Sequence, residues 1–215
     1  MEDRISQALY LELTNRNPES YAEDRVGELL ELREVERGSW WANERPNRTE
    51  FPRSIDEFTT LGIFEVSEHF KAPDTPDDVR GIHFRHYPRP GQGNLSGKPT
   101  LGIELVFISP REPQGAQALR DWGDFIHLRH IAAASVPGFT MITPYENVSG
   151  GTPRFMHLYE MDTPEAEEAF RRMTPVTEER RIGKQGTPLW EEWATHEQLV
   201  INYVNTFRRI GECIA

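Results

Sequence analysis

The chain repeats one order of sequence segments, and this repeat constrains its fold more than any other feature. Four segments of the first half recur in the same order in the second half, with spacings that short loop insertions explain. The matching pairs are Leu9–Thr14 with Leu101–Phe107, Val26–Val35 with Trp122–Ile131, Leu61–Glu68 with the segment that begins at Phe155, and His83–Tyr87 with Thr206–Ile210. The repeat predicts an internal duplication of one small structural module.

Hydrophobic periodicity predicts the same secondary structure in both copies. The first copy is predicted to contain strands at 8–14, from Trp40, at 60–67 and at 82–87, with a helix at 19–37 that stops at Gly38 and a short helix at 73–79. The second copy is predicted to contain strands at 101–108, 139–146, 154–161 and 201–209, and helices at 114–134 and at 164–173, the latter capped by Thr163. The Pro- and Gly-rich segment Pro88–Pro99 is the predicted linker, so the modules would span 1–90 and 99–215.

The order strand–helix–strand–strand–helix–strand is that of a ferredoxin-like module, which is an α+β fold. The antiparallel sheet of such a module carries helices on one face only, so its other face must be buried. We therefore expect the two tandem modules to pack their antiparallel sheets face to face. The charged segment 174–196, which contains Trp190 and Trp193 and has no counterpart in the first copy, is expected to cover a pocket.

Composition excludes several classes of partner and location. The net charge is −11 and no basic stripe is present, which excludes nucleic acid and anionic membrane surfaces as partners. No apolar run is long enough to cross a bilayer, and the first residues are too charged for a secretory signal. The lone Cys213 excludes an intrachain disulfide. These features predict a soluble cytoplasmic protein, either a monomer or a homodimer.

Two motifs of the second copy resemble the dimeric α/β-barrel superfamily. Its single-module members often carry a helix of the form W-Y-D-E-x-H-L-P-x-V followed by V-P-G-F, and here WGDFIHLRHI (Trp122–Ile131) is followed by VPGF (Val136–Phe139). Arg129 replaces the usual Pro, and the first copy has Glu31 in place of His127 and lacks VPGF. The resemblance implies an intrachain α/β-barrel, with both halves supplied by one chain. It also implies one of several activities, those of cofactor-free monooxygenases, polyketide cyclases, lactone isomerases, lyases and haem-handling enzymes, or a role that is not yet known.

Three residues of the second copy are candidates for catalysis. The resemblance places His127 at the position of a helix histidine that transfers protons in some cofactor-free isomerases, and histidine suits this role near neutral pH. His157 lies in an apolar strand on the same face as Tyr159, so both line either a pocket or a packed core. His130, three residues after His127, could instead be the inward-facing histidine and is a candidate for substrate binding.

Carboxylates inside strands form a second group of candidates. Glu12 and Glu104 occupy equivalent places in the two copies, as do Glu65 and Glu160. Such groups are costly to bury unless they are paired, protonated or solvated. Pairing with strand arginines such as Arg85, Arg208 or Arg209 is the simpler outcome, and an acid–base or substrate-binding role for Glu104 is the alternative. Further candidates for substrate binding are the aromatic residues Trp122, Phe139 and Trp190.

The sequence contains no pattern that predicts a metal site, a haem ligand, a nucleotide-binding loop or a hydrolase nucleophile elbow. We therefore expect an enzyme without cofactor or metal that acts on a small apolar molecule, aromatic or polyketide-like. The reaction would be a lyase, isomerase or cyclase reaction driven by proton transfer, with His127 as base or acid and one working site, in the second module. The alternatives are a cofactor-free monooxygenase of an aromatic compound and a non-catalytic binding module. The latter predicts helix-facing, backbone-bonded histidines without a cavity.

Overall fold

The computed structural model describes residues 5–93 and 97–215, which form one antiparallel barrel with helices outside it. The strands are β1 (Ala8–Thr14), β2 (Val35–Asn43), β3 (Thr60–Val66), β4 (Val79–His86), β5 (Gln92–Gly93), β6 (Gly102–Pro110), β7 (Phe139–Asn147), β8 (Phe155–Met161) and β9 (Leu199–Ile214). The helices are α1 (Pro18–Tyr21, a π-helical turn Ala22–Val26, and Gly27–Leu30), α2 (Ala116–Trp122, a π-helical turn Gly123–His127, and Leu128–Ala134), α3 (Ala166–Thr177 followed by a π-helical turn Glu178–Ile182) and α4 (Pro188–Ala194). A 3-10 turn, Pro113–Gly115, precedes α2.

The barrel closes through two seams between its halves. The strand order is β4-β1-β3-β2 in the first half and β9-β6-β8-β7 in the second. β2 pairs with β9, and β4 pairs with β7, so each half contributes both of its outer strands to the other. This is the α+β architecture expected from the sequence: two ferredoxin-like sheets face each other across a common interior and form an intrachain α/β-barrel.

The interior of the barrel is filled by apolar side chains. In β1, Leu9, Leu11 and Leu13 point inward, whereas Tyr10 and Glu12 point outward toward α1. The residues of this core are Leu9, Leu11, Leu13, Trp41, Ile55, Phe58, Leu61, Ile63, Ile82, Phe84, Ile103, Leu105, Phe107, Tyr145, Met156, Leu158, Tyr203 and Phe207. The outer face of each half-sheet is the face that packs against the helices.

Four local predictions differ from the structure. α1 ends at Leu30, and Gly38 lies inside β2, where strand pairing overrides the apolar spacing that suggested a longer helix. Residues 73–78 form no helix. α3 begins at Ala166 with Glu165 as its cap residue and continues well beyond 173. The predicted linker contains β5, which pairs with β7, and residues 94–96 of that linker lie outside the described residues.

Candidate active site

A cavity of about 230 Å³ lies between the outer face of the second-half sheet and helices α2, α3 and α4. Its wall is mainly apolar and aromatic, as is common for sites that bind small molecules. The lining residues are Phe51, Glu104, Val106, Ile108, Trp122, His127, His157, Tyr159, Phe170, Met173, Thr174, Trp190, Trp193, Ala194, Leu199, Ile201 and Val204. The cavity is smaller than the roughly 300–1,000 Å³ of most ligand pockets, so it suits a small molecule.

His127 lies at the end of the π-helical turn of α2, between two indole rings. Its ring centroid is 5.0 Å from that of Trp122 and 5.0 Å from that of Trp193. Nδ1 lies 2.9 Å from the carbonyl oxygen of Trp193. Because a carbonyl only accepts hydrogen bonds, Nδ1 must donate, which leaves the lone pair on Nε2. Burial lowers the pKa of His127 to about 4, so its ring is neutral at pH 7.

His157 contributes a second neutral imidazole to the cavity. It lies on β8 and is 5% exposed. Its ring packs against α2 at Gly123, where an added Cβ would lie 3.3 Å from Cε1 of the imidazole. Burial, followed by the proximity of His127 and Arg120, lowers its pKa to about 3. The two histidines therefore add hydrogen-bonding atoms to the cavity without adding charge at neutral pH.

Glu104 and Tyr159 are direct neighbours across the β6–β8 pairing. Burial raises the pKa of Glu104 to about 8, so roughly nine tenths of the carboxyl groups are protonated at pH 7. Among residues 5–93 and 97–215, no side chain or backbone group bonds to Glu104 Oε2. Burial, followed by the proximity of Glu104, raises the pKa of Tyr159 well above its ordinary value, so the phenol keeps its proton. The cavity thus contains a weak carboxylic acid beside neutral hydrogen-bonding groups.

The structure brings most of the predicted site residues together and leaves two outside. The residues that line the cavity are His127, His157, Tyr159, Glu104, Trp122 and Trp190. His130 is not among the lining residues, although it lies on the same helix as His127. Phe139 contacts Tyr159 edge-on at 6.0 Å between ring centroids and lines a separate pocket near β5 and β7.

Of the three features expected of a non-catalytic module, the helix-facing histidines are present, the backbone hydrogen bond is present for His127, and the lack of a cavity is not observed. The face that carries His157 and Tyr159 points to the helices rather than into the barrel, and His127 bonds to a backbone carbonyl. However, both histidines line a cavity. The strand carboxylates also divide. Glu12 forms a buried ion pair with Arg25, a helix residue rather than the strand arginines expected, whereas Glu104 has no ion pair within the described part of the chain.

Several lining residues were not identified from the sequence. Phe170 and Met173 lie three residues apart on α3, a helical spacing that could have indicated them. Phe51 could not have been found in this way, because it comes from the loop between β2 and β3 of the first half. Its ring lies 6.0 Å from that of Phe170, so the first half closes one side of the second half's cavity.

Segment 174–196 forms the outer wall of the cavity. Thr187 caps α4, with Pro188 at its first position, and the helix presents Trp190 and Trp193 to the cavity. The indole nitrogen of Trp190 donates to Glu178 Oε1 at 2.9 Å, and that of Trp193 donates to the carbonyl oxygen of His127 at 3.2 Å. These bonds fix α4 against α2 and α3.

Comparison with solved structures identifies the fold. An anthrone oxidase-like protein superposes with a TM-score of 0.57 at 14% identity, over 100% of this chain and 95% of its own. A proposed monooxygenase from Fusobacterium nucleatum gives a TM-score of 0.53 at 6% identity, over 98% and 96%. Chlorite dismutase from Candidatus Nitrospira defluvii gives 0.51 at 8% identity, over 97% and 92%. The chain therefore shares the α/β-barrel fold of these proteins.

This likeness concerns the fold alone, because the shared identity is low and the three proteins are named for different activities. No family model matches the chain, and no curated protein matches it in sequence. Within the described residues, no group of three or more His, Cys, Asp or Glu side chains has the arrangement of metal ligands, and no helix there is long and apolar enough to cross a membrane.

Proposed function

We propose that this chain is a cofactor-independent enzyme that acts by proton transfer on a small, flat, uncharged aromatic molecule bound in the second-half cavity. The observation that carries the proposal is the carboxyl group of Glu104, which is buried in an aromatic-walled cavity with one oxygen unpartnered among the described residues. A titratable group with a perturbed pKa inside a cleft is a typical mark of a catalytic site.

Glu104 is a better proton acceptor than His127, which the sequence favoured. A general base works best when its pKa lies near the working pH. The pKa of Glu104 is about 8 and that of His127 about 4, so protonating His127 would cost roughly 5 kcal/mol more than protonating Glu104 at the same pH. We therefore assign proton transfer to Glu104, and to His127 the role of accepting a hydrogen bond from the substrate through Nε2.

The other lining groups orient the ligand. Tyr159 keeps its proton and can donate a hydrogen bond to a carbonyl or phenolic oxygen. The rings of Trp122, Trp190 and Trp193 offer flat apolar surfaces for stacking. Because the histidines are neutral and Glu104 is mostly protonated at pH 7, the cavity favours an uncharged ligand over an ion.

The test is a screen of anthrones, naphthols and aromatic lactones with the purified protein under anaerobic conditions in deuterated buffer. Proton transfer by Glu104 predicts exchange of an acidic C–H of the substrate, measured by NMR. Glu104→Gln should slow this exchange by roughly 10²–10⁴-fold, because the amide keeps the shape but cannot carry the proton. The wild-type rate should rise about tenfold from pH 7 to a plateau above pH 9, as Glu104 ionises.

Matched histidine variants separate the roles of the two helix histidines. His127→Asn keeps a donor for the carbonyl of Trp193 but removes Nε2, and it should weaken both binding and turnover. His130→Asn changes a residue of the same helix that does not line the cavity, and it should leave both unchanged. Equal turnover in wild type and Glu104→Gln, or a panel in which no compound exchanges or quenches tryptophan fluorescence, would contradict the proposal.

A second candidate is a cofactor-free monooxygenase of an aromatic compound, which the names of two structural neighbours favour. It begins with the same deprotonation. The resulting carbanion then reacts with O₂, so that a CH₂ group becomes a carbonyl, one oxygen atom enters the product and the other leaves as water. An oxygen electrode distinguishes the two candidates: uptake of one O₂ per anthrone consumed supports the oxygenase, and isotope exchange without uptake supports the simpler reaction.

A further inference from the structure

The loop between β2 and β3 crosses from the first half of the barrel to the second. The N–H of Glu44 donates to the carbonyl oxygen of Thr206 at 3.0 Å, and the N–H of Glu167 on α3 donates to Glu44 Oε2 at 2.8 Å. Asn205 Nδ2 donates to the carbonyl oxygen of Arg45 at 3.0 Å. These bonds fix the start of the loop against β9 and α3, beside the cavity.

Arg48 is the most deeply buried cation of this loop. Its side chain is 3% exposed and forms an ion pair with Glu167, and its Nε donates to Asn205 Oδ1 at 3.3 Å. The guanidinium carbon lies 4.6 Å from the ring centroid of Phe170, a cavity wall residue. Buried arginines are rarely free of function or of strong pairing, because desolvation of the cation is costly.

Glu167, the ion-pair partner of Arg48, is connected to Glu104 through Thr206 of β9. Glu167 Oε2 also accepts a hydrogen bond from Thr206 Oγ1 at 2.9 Å. Thr206 is the residue of β9 that pairs with Glu104 of β6. The ion pair is therefore hydrogen-bonded to the residue of β9 that lies directly across from Glu104, the residue that we assign to proton transfer.

We infer that Arg48 of the first half is a positioning residue of the second half's active site, and that its ion pair with Glu167 controls the ionisation of Glu104. The inference rests on the proposed role of Glu104. Within residues 5–93 and 97–215, Arg48 and Glu167 are the charged groups that act on this carboxyl, with opposite signs. The cation lowers the pKa of Glu104 and the anion raises it, against the larger effect of burial.

The remaining groups that face Glu104 are uncharged at neutral pH. On β8 they are Tyr159 and His157, and on α2 the group is His127, whose pKa shifts keep all three neutral there. α4 presents Trp190 and Trp193 to the cavity. Among the described residues, Glu167 also pairs with Arg45 and Arg171, but Arg48 is by far the most buried of these cations. Arg48 therefore most strongly opposes the effect of this carboxylate on the Glu104 anion.

The test is a direct titration of Glu104, by ¹³C NMR of protein labelled at glutamate, with Glu104→Gln used to assign the signal. Arg48→Met should raise the apparent pKa of Glu104 by about one unit, because it removes the buried cation that lowers this pKa, whereas Glu167 keeps its charge beside the more exposed Arg45 and Arg171. Glu167→Gln should lower it by a similar amount. The double variant should return close to the wild-type value, and Arg48→Lys should retain most of the effect.

Opposite shifts from the two single variants would not arise from mere loosening of the structure. Shifts in the same direction, or no shift in Glu167→Gln, would overturn the inference, and Glu167→Gln provides this test even if Arg48→Met does not fold. The measurement needs no substrate, so its outcome is separate from that of the proposed function. Opposite pKa shifts without turnover of any compound would support the effect of Arg48 and Glu167 on Glu104 and would contradict the proposed reaction.

Discussion

The two halves of the barrel each have a glutamate at the equivalent strand position, but the two carboxyl groups lie in opposite environments. Glu12 and Glu104 each lie on the outer face of the first strand of their half. Glu12 is fully buried and bonds to Arg25 Nη2 at 2.7 Å and to the hydroxyl group of Tyr21 at 3.0 Å. Within the described residues, Glu104 has no ion pair and no hydrogen bond to Oε2, and it lines a cavity. The same strand frame thus yields a sealed ion pair in one half and a candidate reactive acid in the other.

The neighbours of the two glutamates explain the difference. Across the ladder, Glu12 pairs with Gly62 and Gly81, whereas Glu104 pairs with Tyr159 and Thr206. A Cβ at Gly62 would collide with the hydroxyl of Tyr21, and one at Gly81 with the hydroxyl of Tyr10. The glycines therefore admit tyrosine side chains that fill the first half under α1. In the second half, Tyr159 and Thr206 occupy the positions of these glycines, and a cavity separates the helices from this part of the sheet.

The largest expected effect concerns the sealed pair. Arg25→Met leaves the buried Glu12 without its cation and should lower the free energy of unfolding by about 3–5 kcal/mol. Urea denaturation followed by circular dichroism measures it. The double variant Glu12→Met/Arg25→Met should recover most of the loss, because no unpaired charge remains. A loss below about 1 kcal/mol for Arg25→Met would show that the first half is not sealed by this pair.

A smaller effect is expected from closing the space over the first-half sheet. Gly62→Ala should cost about 1–3 kcal/mol of stability, since its methyl group displaces Tyr21 from Glu12. Gly27→Ala in α1 is the matched control: nothing lies near its Cβ, so it should stabilise the helix by about 0.5–1 kcal/mol. Thermal melts of both variants test the comparison, and it is weakened if the two substitutions act alike.

A third expected effect is a pH dependence that belongs to the second half. The pKa of Glu104 is raised from 4.5 to about 8 on folding, so the folded state holds a proton that the unfolded state has lost, and stability falls as pH rises through this window. The lowered pKa values of His127 and His157 act below pH 6.5, where stability falls as pH falls. Wild type should therefore be most stable near pH 6.5.

Between pH 6.5 and 8 the contribution of Glu104 amounts to about 2 kcal/mol. Denaturant midpoints measured across this range should decline for wild type and stay nearly level for Glu104→Gln. A decline of the same size in the variant would assign the alkaline loss to another group.

The sequence was sufficient to predict the fold because strand alternation and the repeat of element order are local signals. Leu9, Leu11 and Leu13 alternate in the sequence as they do in the barrel. The sequence also indicated His127, Glu104 and Trp190, which the cavity brings together. It could not separate Glu104 from Glu12, because the decisive partners, Arg25 on a helix and the glycines on neighbouring strands, are contacts of tertiary structure.

Long-range contacts also explain what sequence reasoning missed. Phe51 and Arg48 lie in a polar loop of the first half, and the seam between β2 and β9 brings that loop beside α3. Only there can Phe51 line the cavity and Arg48 contact the wall residue Phe170. The helix predicted at 19–37 extends too far for a related reason: it ends at Leu30, because Val35 pairs with Val66 and this strand contact overrides the helical spacing of the apolar residues.

The two seams that close the barrel have a consequence for symmetry. When identical modules assemble into such a barrel, every substitution appears twice, so a change that suits one site is imposed on the other. Here β2–β9 and β4–β7 join two different halves of one chain. Each half can then specialise alone, and a rigid, permanently filled half can anchor one that stays open. This arrangement predicts a stoichiometry of one bound molecule per barrel rather than two.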